Sequence, residues 1–245
     1  MTADPDNPTA RFEYAPDIVG RFPSVVGGVI HATGLTNGAS PAELVEAFQG
    51  EQAAVLARIG STPLSELPSV AAWRRVFRAF GVDPTGYRSA AEALLRRLTK
   101  QGSIPSINRL VDIGNLVSIR HGLPVAVFDL RALICGITVR FATGDERFTD
   151  LGSGNPEAPE PGEVIFTDDA GLVCARRWCW RQSAESAAGP GTTEILVTVE
   201  GHHDRAAGDV VAATADLEAL LGAYTGPATM RSGLVDADRR VFATG

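Results

Sequence analysis

Residues 106–130 read SINRLVDIGNLVSIRHGLPVAVFDL, and within them the chain changes character. As far as His121, apolar positions recur at helical spacing, through Ile107, Leu110, Val111, Gly114 and Val117. Gly122 and Pro124 stop that helix. Residues 124–129 and 133–141 then read as strands. Before this junction the chain is mostly helical and after it mostly strand, so the junction decides the fold class.

Upstream, residues 23–35 read as a strand, with Val25, Val26, Val29 and Ile30 around Gly27-Gly28, where a bulge is expected. A helix begins at Ser40-Pro41-Ala42-Glu43, with Ser40 as N-cap, and ends at Gly60. A second starts at Ser69 and carries Trp73, Val76, Phe77 and Phe80 as one apolar stripe. A third opens on the capping box Ser89 to Glu92, buries Leu94, Leu95 and Leu98, and ends at Gly102. Downstream, residues 163–167 and 172–181 form a hairpin about the turn 168–171, and 193–200 form another strand. A closing helix spans 210–224. Residues 1–20 read as a lead-in and 226–245 as a tail or edge strand. The order indicates an α+β fold, helices packed on a mainly antiparallel β-sheet, in one domain over 21–225.

The 245 residues carry 22 basic and 29 acidic side chains, a net charge of -7, and are 44% hydrophobic. Those values exclude a disordered chain, a collagen-like chain and a disulfide-dense mini-protein. Three cysteines, Cys135, Cys174 and Cys179, are odd in number and lack paired metal spacing, which indicates a reduced, cytoplasmic chain. No apolar run is long enough to span a bilayer and residues 1–7 do not read as a signal peptide, so no membrane partner is expected. The positive charge is concentrated. Residues 69–140 hold Arg74, Arg75, Arg78, Arg88, Arg96, Arg97, Lys100, Arg109, Arg120, Arg131 and Arg140 against Asp83, Glu92, Asp112 and Asp129. That excess either carries a phosphate backbone or is solvated helix surface.

Three features bear on chemistry. Asn108, Asp112 and Asn115 fall at i, i+4 and i+7 and make one polar wedge on the helix of 106–121. It is either a network bracing the helix or the wall of a cleft that hydrogen-bonds a polar ligand. In residues 176–181, strand alternation puts Trp178 and Trp180 on one face and Arg177 and Arg181 on the other. That pattern either grips nucleic acid by stacking and phosphate contact or packs a core. Glu163, after Pro161-Gly162, is either a carboxylate facing a cleft or a charged loop end. His202-His203-Asp204 reads as a loop without a ligand. No phosphate loop, dinucleotide fingerprint, nucleophile elbow or zinc motif is present, so neither cofactor nor metal is expected.

Residues 110–130 resemble the segment that opens the B3/B4 domain of the phenylalanyl-tRNA synthetase beta subunit: a valine–aspartate pair, an asparagine, then a Pro-x-His-x-Phe-Asp turn. The blocks WRRVFRAFGVDPTGYRSAAEALLRR (73–97), SIPSINRLVDIGN (103–115), PGEVIFTDD (161–169) and RRWCWRQ (176–182) are similar to standalone B3/B4 proteins, which lack the synthetase. The resemblance covers about residues 70–200 and implies the B3/B4 fold. It further implies an aminoacyl-tRNA deacylase acting in trans, with the acceptor end of tRNA as partner. In the synthetase the domain removes wrongly attached amino acids, chiefly tyrosine.

Such hydrolysis needs a positioned water, donors for the developing oxyanion and a pocket for the amino acid. A vicinal ribose hydroxyl can assist, so no strong protein nucleophile is required. Asn115 matches the motif asparagine, and Glu200 lies where the family carries a specificity glutamate; with Asn108 they are the expected substrate-binding residues. Arg88, Arg96, Arg97, Lys100, Arg177 and Arg181 are the expected RNA contacts. The family's turn histidine is Ala126 here, so positioning of water falls to Asp112 or Glu163, with His31 as a further candidate. The alternative is a non-catalytic module that binds RNA or an amino acid. A third reading is a hydrolase of an unrelated small ester or amide.

Overall fold

Two helices begin where their own side chains satisfy the free N–H groups of the first turn. In the computed structural model, which describes residues 10–134, 136–152 and 154–244, Asn108 Oδ1 accepts from Val111 N at 3.1 Å and starts helix α5 (Arg109–His121). Ser89 Oγ accepts from Glu92 N and starts α4 (Ala90–Gln101). Gly102 and Gly122 end these helices in the left-handed conformation, at φ 78° and 65°, which glycine adopts without steric cost. Helix α2 (Ala42–Ile59) lacks the expected Ser40 cap, because Pro41 takes the cap position and has no side-chain acceptor; the Ser40 hydroxyl donates to Asp112 Oδ2 at 2.6 Å. The remaining helices are α1 (Pro16–Arg21), α3 (Pro68–Ala79) and α6 (Ala206–Tyr224). Among the described residues no helix is long and apolar enough to cross a membrane.

The larger sheet runs in the order β12 (Val241–Thr244), β1 (Ala10–Tyr14), β4 (Ile137–Phe141), β7 (Val164–Thr167), β8 (Val173–Arg176), β9 (Arg181–Gln182). The smaller runs β11 (Thr229–Val235), β2 (Val26–Thr33), β10 (Glu194–Gly201), β3 (Val125–Asp129). Two short strands, β5 (Phe148–Thr149) and β6 (Pro156–Glu157), pair on their own. All of these pairs are antiparallel except β1 with β4. The expected α+β class, helices on mainly antiparallel sheet, is what the chain adopts.

Strand β10 shows how the layers are built. Val197 and Val199 point to one side and join Leu110, Ile113, Val117, Val210 and Leu217 in the core under α5 and α6. Leu196 points to the other and joins Phe12, Phe128, Phe166 and Trp178 in the core between the sheets. Fully burying one such side chain contributes about 1.5 to 3 kcal/mol.

Four expectations need correction. Residues 10–20 of the expected lead-in form β1 and most of α1; Phe12 and Tyr14 alternate inward and make β1 an interior strand (residues 1–9, and Cys135, lie outside the described residues). The segment after 226, expected as a tail or edge strand, is not a tail: it supplies two edge strands, β11 and β12, one on each sheet. Gly27-Gly28 is not a bulge, since β2 pairs in continuous register with both neighbours. The glycines make room: a Cβ on Gly28 would stand 2.0 Å from Thr214 Oγ1 of α6. Finally, residues 176–181 are not one strand. Arg177 and Trp178 adopt φ of 44° and 61°, and the chain turns there. Left-handed φ costs a bulky residue on the order of 1 to 2 kcal/mol, so the tertiary contacts of these two side chains hold the turn.

Candidate functional site

That turn shapes a cleft of about 400 Å³, open mouth included, between the two sheets at the edge formed by β3. Ala126 of β3 and Thr198 and Glu200 of β10 line one wall; Phe166, Ala175, Trp178, Cys179 and Trp180 line the other. Ala90, the first residue of α4, and Arg181 stand among its lining residues. Ala126 and Thr198 are directly paired across the strands.

Glu200 is the acidic group lining the cleft, only 2% exposed. Its Oε1 receives the Tyr14 hydroxyl at 2.5 Å and the Trp178 indole N–H at 3.0 Å. No hydrogen bond reaches Oε2 among the described residues. Burial pushes the Glu200 carboxyl up to about 7, although both donated hydrogen bonds pull the other way. Burial, and next the Glu200 charge, push the Tyr14 phenol and the Cys179 thiol above their ordinary values, so both stay protonated near neutrality. The Trp178 indole is wedged edge-to-face against Phe22, Trp73 and His202, at 5.3, 5.4 and 5.0 Å between centroids. His202, in the expected loop, is buried in this aromatic cluster, and burial holds its imidazole down at about 3.

Asn108, Asp112, Asn115, Glu163 and His31, also singled out from the sequence, are not among the residues lining this cleft. Asn108 is the cap of α5, and its Nδ2 donates to Ala188 O at 3.1 Å. Asp112 is fully buried and accepts from the Ser40 and Ser106 hydroxyls and from Ile107 N. Together they brace the start of α5 against neighbouring loops. Asn115 is half-buried and outside the cleft wall, with no hydrogen bond from its side chain among the described residues. Glu163 is buried and bidentate with Arg176, at 3.0 Å for both bonds, and also accepts from Arg177 N and Glu160 N. It borders a separate surface cleft with Arg21, Arg78, Tyr87 and Arg177. His31 pairs with Glu194 at 2.9 Å. The expected convergence of Asp112, Asn115, Glu163 and Glu200 therefore does not occur; Glu200 alone reaches the cleft.

The expected RNA contacts form two groups. At the cleft, Arg181 lies over the Trp180 ring at 4.7 Å and pairs with Asp150 at 2.5 Å. Arg177, on the separate cleft with Glu163, lies over Tyr87 at 4.0 Å and over Trp180 at 4.7 Å, and Arg88 pairs with Glu92 at 3.9 Å. Arg96, Arg97 and Lys100 are exposed on the later turns of α4. At 1.5 Å rise per residue they lie roughly 10 to 15 Å along that helix from Ala90.

Tyr14 is the site residue that the sequence reading missed. The signal was present in Ala10-Arg11-Phe12-Glu13-Tyr14, a short apolar alternation bounded by Pro16, but five residues are too few to stand out.

The family model for the B3/4 domain matches residues 72–214. Curated relatives include the phenylalanine–tRNA ligase beta subunit of Nocardia farcinica, 33% identical over 120 residues, which cover 49% of this chain and 14% of that protein. That of Chromobacterium violaceum is 35% identical over 78 residues, 32% of this chain and 10% of that protein. The matched region thus spans a small fraction of the length of these relatives. Among solved structures, an N-terminal fragment of the phenylalanyl-tRNA synthetase beta-subunit from Pyrococcus horikoshii aligns with 94% of this chain and 53% of that one, at 11% identity and a TM-score of 0.46.

Proposed function

The chain belongs to the B3/4 domain family, and from that premise we propose that its cleft receives the aminoacylated end of a tRNA and that the protein hydrolyses a mischarged amino-acid ester in trans. One observation carries the reading: a buried carboxyl at the cleft wall whose Oε2 has no protein partner among the described residues. Oε2 faces the cleft and is not one of the fully buried unpartnered atoms, so a ligand donor such as a phenol or an amino group takes the place of water there. Phe166, Ala126 and Ala175 give that donor an apolar surround. The Arg177, Trp180, Arg181 cluster offers stacking and charge to the terminal nucleotide. The positively charged α4 surface continues toward the rest of the acceptor end.

In this reading Glu200 selects the side chain and the substrate's vicinal hydroxyl assists the attacking water. Near pH 7 the Glu200 carboxyl lies close to its own midpoint, which also suits proton transfer.

A second reading is a binding module without chemistry, and two observations favour it. Ala126 brings no polar side chain to the wall, and both expected acid–base groups, Asp112 and Glu163, are saturated by protein partners. The experiment that separates the two is a panel of misacylated tRNAs. Release of an amino acid from at least one of them, lost in Glu200→Ala, supports hydrolysis. Salt-sensitive binding without release selects the binding module, and neither binding nor release refutes both.

A further inference from the structure

Strand β1 lies outside the matched segment 72–214, yet its last residue, Tyr14, donates a hydrogen bond to Glu200 of the cleft wall. Tyr14 is fully buried, and its hydroxyl shares Glu200 Oε1 with the Trp178 indole. The backbone is arranged for this. Gly27 of β2 lies directly across from Glu200 in the sheet, and a Cβ there would stand 2.5 Å from Tyr14 Oη. Its main chain is fastened as well: Tyr14 N donates to Arg240 O at 3.0 Å and the Arg240 guanidinium to Tyr14 O at 3.1 Å.

Two donors on one oxygen leave the carboxyl little freedom to rotate. We propose that Tyr14 is a positioning residue of the site: with Trp178 it pins Oε1 of Glu200, so that Oε2 is presented to a neutral hydrogen-bond donor in the cleft. The N-terminal strand, outside the family segment, thereby completes the ligand site. This rests on the reading of the cleft as a ligand site but not on tRNA being its ligand.

The groups around Glu200 are few. Tyr14 comes from β1, Trp178 and Cys179 from the turn, Thr198 from its own strand, Arg181, paired with Asp150, from β9, and His202, packed on Trp178, from just beyond β10; Gly27 of β2 and Ala126 of β3 bring no titratable side chain. A change at Tyr14 is therefore read directly in the titration of Glu200. The phenol's hydrogen bond favours the carboxylate, so its loss raises the midpoint above about 7.

The test uses the whole chain with carbon-13 glutamate, and p-cresol and toluene as probes. In the wild-type protein at pH 8, p-cresol binds about tenfold more tightly than toluene, the value of one hydrogen bond to a charged acceptor. In Tyr14→Phe the Glu200 midpoint rises and the preference falls to within about twofold. A chain made with 3,5-difluorotyrosine keeps the ring and the hydroxyl, and so the fold, with a more acidic donor. There the Glu200 midpoint falls, which makes a second test independent of whether Tyr14→Phe folds. Two results overturn the proposal: a Glu200 titration unmoved by the fluorinated chain, or an equal cresol preference in wild type and Tyr14→Phe. Absence of any tRNA activity leaves these readouts intact, so failure of the functional reading is told apart.

Discussion

Replacing Asp112 by Ala separates a structural carboxylate from a catalytic one. The side chain is fully buried and accepts the Ser40 hydroxyl at 2.6 Å, the Ser106 hydroxyl and Ile107 N at 2.9 Å. It also sits in the first turn of α5, where negative charge meets the positive end of the helix. One hydrogen bond to a charged acceptor contributes about 1.5 to 3 kcal/mol. The three here are not additive, because Ile107 is largely exposed and its N–H can turn to water. The net loss is about 3 kcal/mol, the helix-end charge included. For a chain of this length that lowers Tm by about 6 to 12 °C. Urea unfolding of wild type, Asp112→Asn and Asp112→Ala measures it, with Asn intermediate because it keeps the shape and one acceptor. At temperatures where the variants are folded, ligand binding stays within about twofold of wild type. Stability within about 0.5 kcal/mol of wild type together with lost binding or activity would refute the reasoning, and would return Asp112 to the site.

Glu200→Gln changes how stability depends on pH. A carboxyl raised from 4.5 to about 7 by folding stabilises the protein fully below pH 4.5, and loses that contribution as pH rises to about 7. Wild type therefore loses about 3 kcal/mol relative to Glu200→Gln between pH 4 and pH 8, read from urea midpoints; parallel curves would contradict the assignment. Gly28→Ala puts a methyl 2.0 Å from Thr214 Oγ1 and lifts α6 from the sheet, at a cost of about 1 to 3 kcal/mol. Adding Thr214→Ala restores part of it, and no restoration would place the strain elsewhere. Replacing Arg96, Arg97 and Lys100 together by Ala leaves unfolding unchanged, since all three are exposed. It flattens the dependence of log tRNA affinity on log salt by about 2, and an unchanged slope would remove the α4 surface from the interface.

The helical half was legible because its signals are local. The capping box at Ser89 and the left-handed glycines at 102 and 122 lie within a few residues of what they control, whereas Asn108, read as part of the helix, is its cap. The class of fold was readable from the helix-to-strand junction at 122–125 for the same reason. The edges were not legible. Strand β1 is five residues long and finds its partners at 137–139 and 241–244, a pairing that no local pattern announces.

The wedge of Asn108 and Asp112 was visible as polar residues on an apolar helix, but periodicity does not say what stands opposite. The partners, Ser40 and Ala188, are 72 and 80 residues away in sequence. Alternation likewise failed at Trp178, because the φ of 61° that turns its indole toward Glu200 is imposed by the surrounding rings. Glu200 was placed from the family resemblance; its two donors and its unpartnered oxygen come from tertiary structure.

The most direct measurement tracks the carbon-13 carboxyl signals of Glu200, Asp112 and Glu163 while a hydrolysis-resistant 3′-tyrosylamido analogue of adenosine is added. The account predicts that the Glu200 signal shifts and its midpoint moves away from about 7, while Asp112 and Glu163 are unmoved. A response at Glu163 or Asp112 with Glu200 silent, or no response at saturating analogue, would contradict the claim that this cleft receives the aminoacylated end.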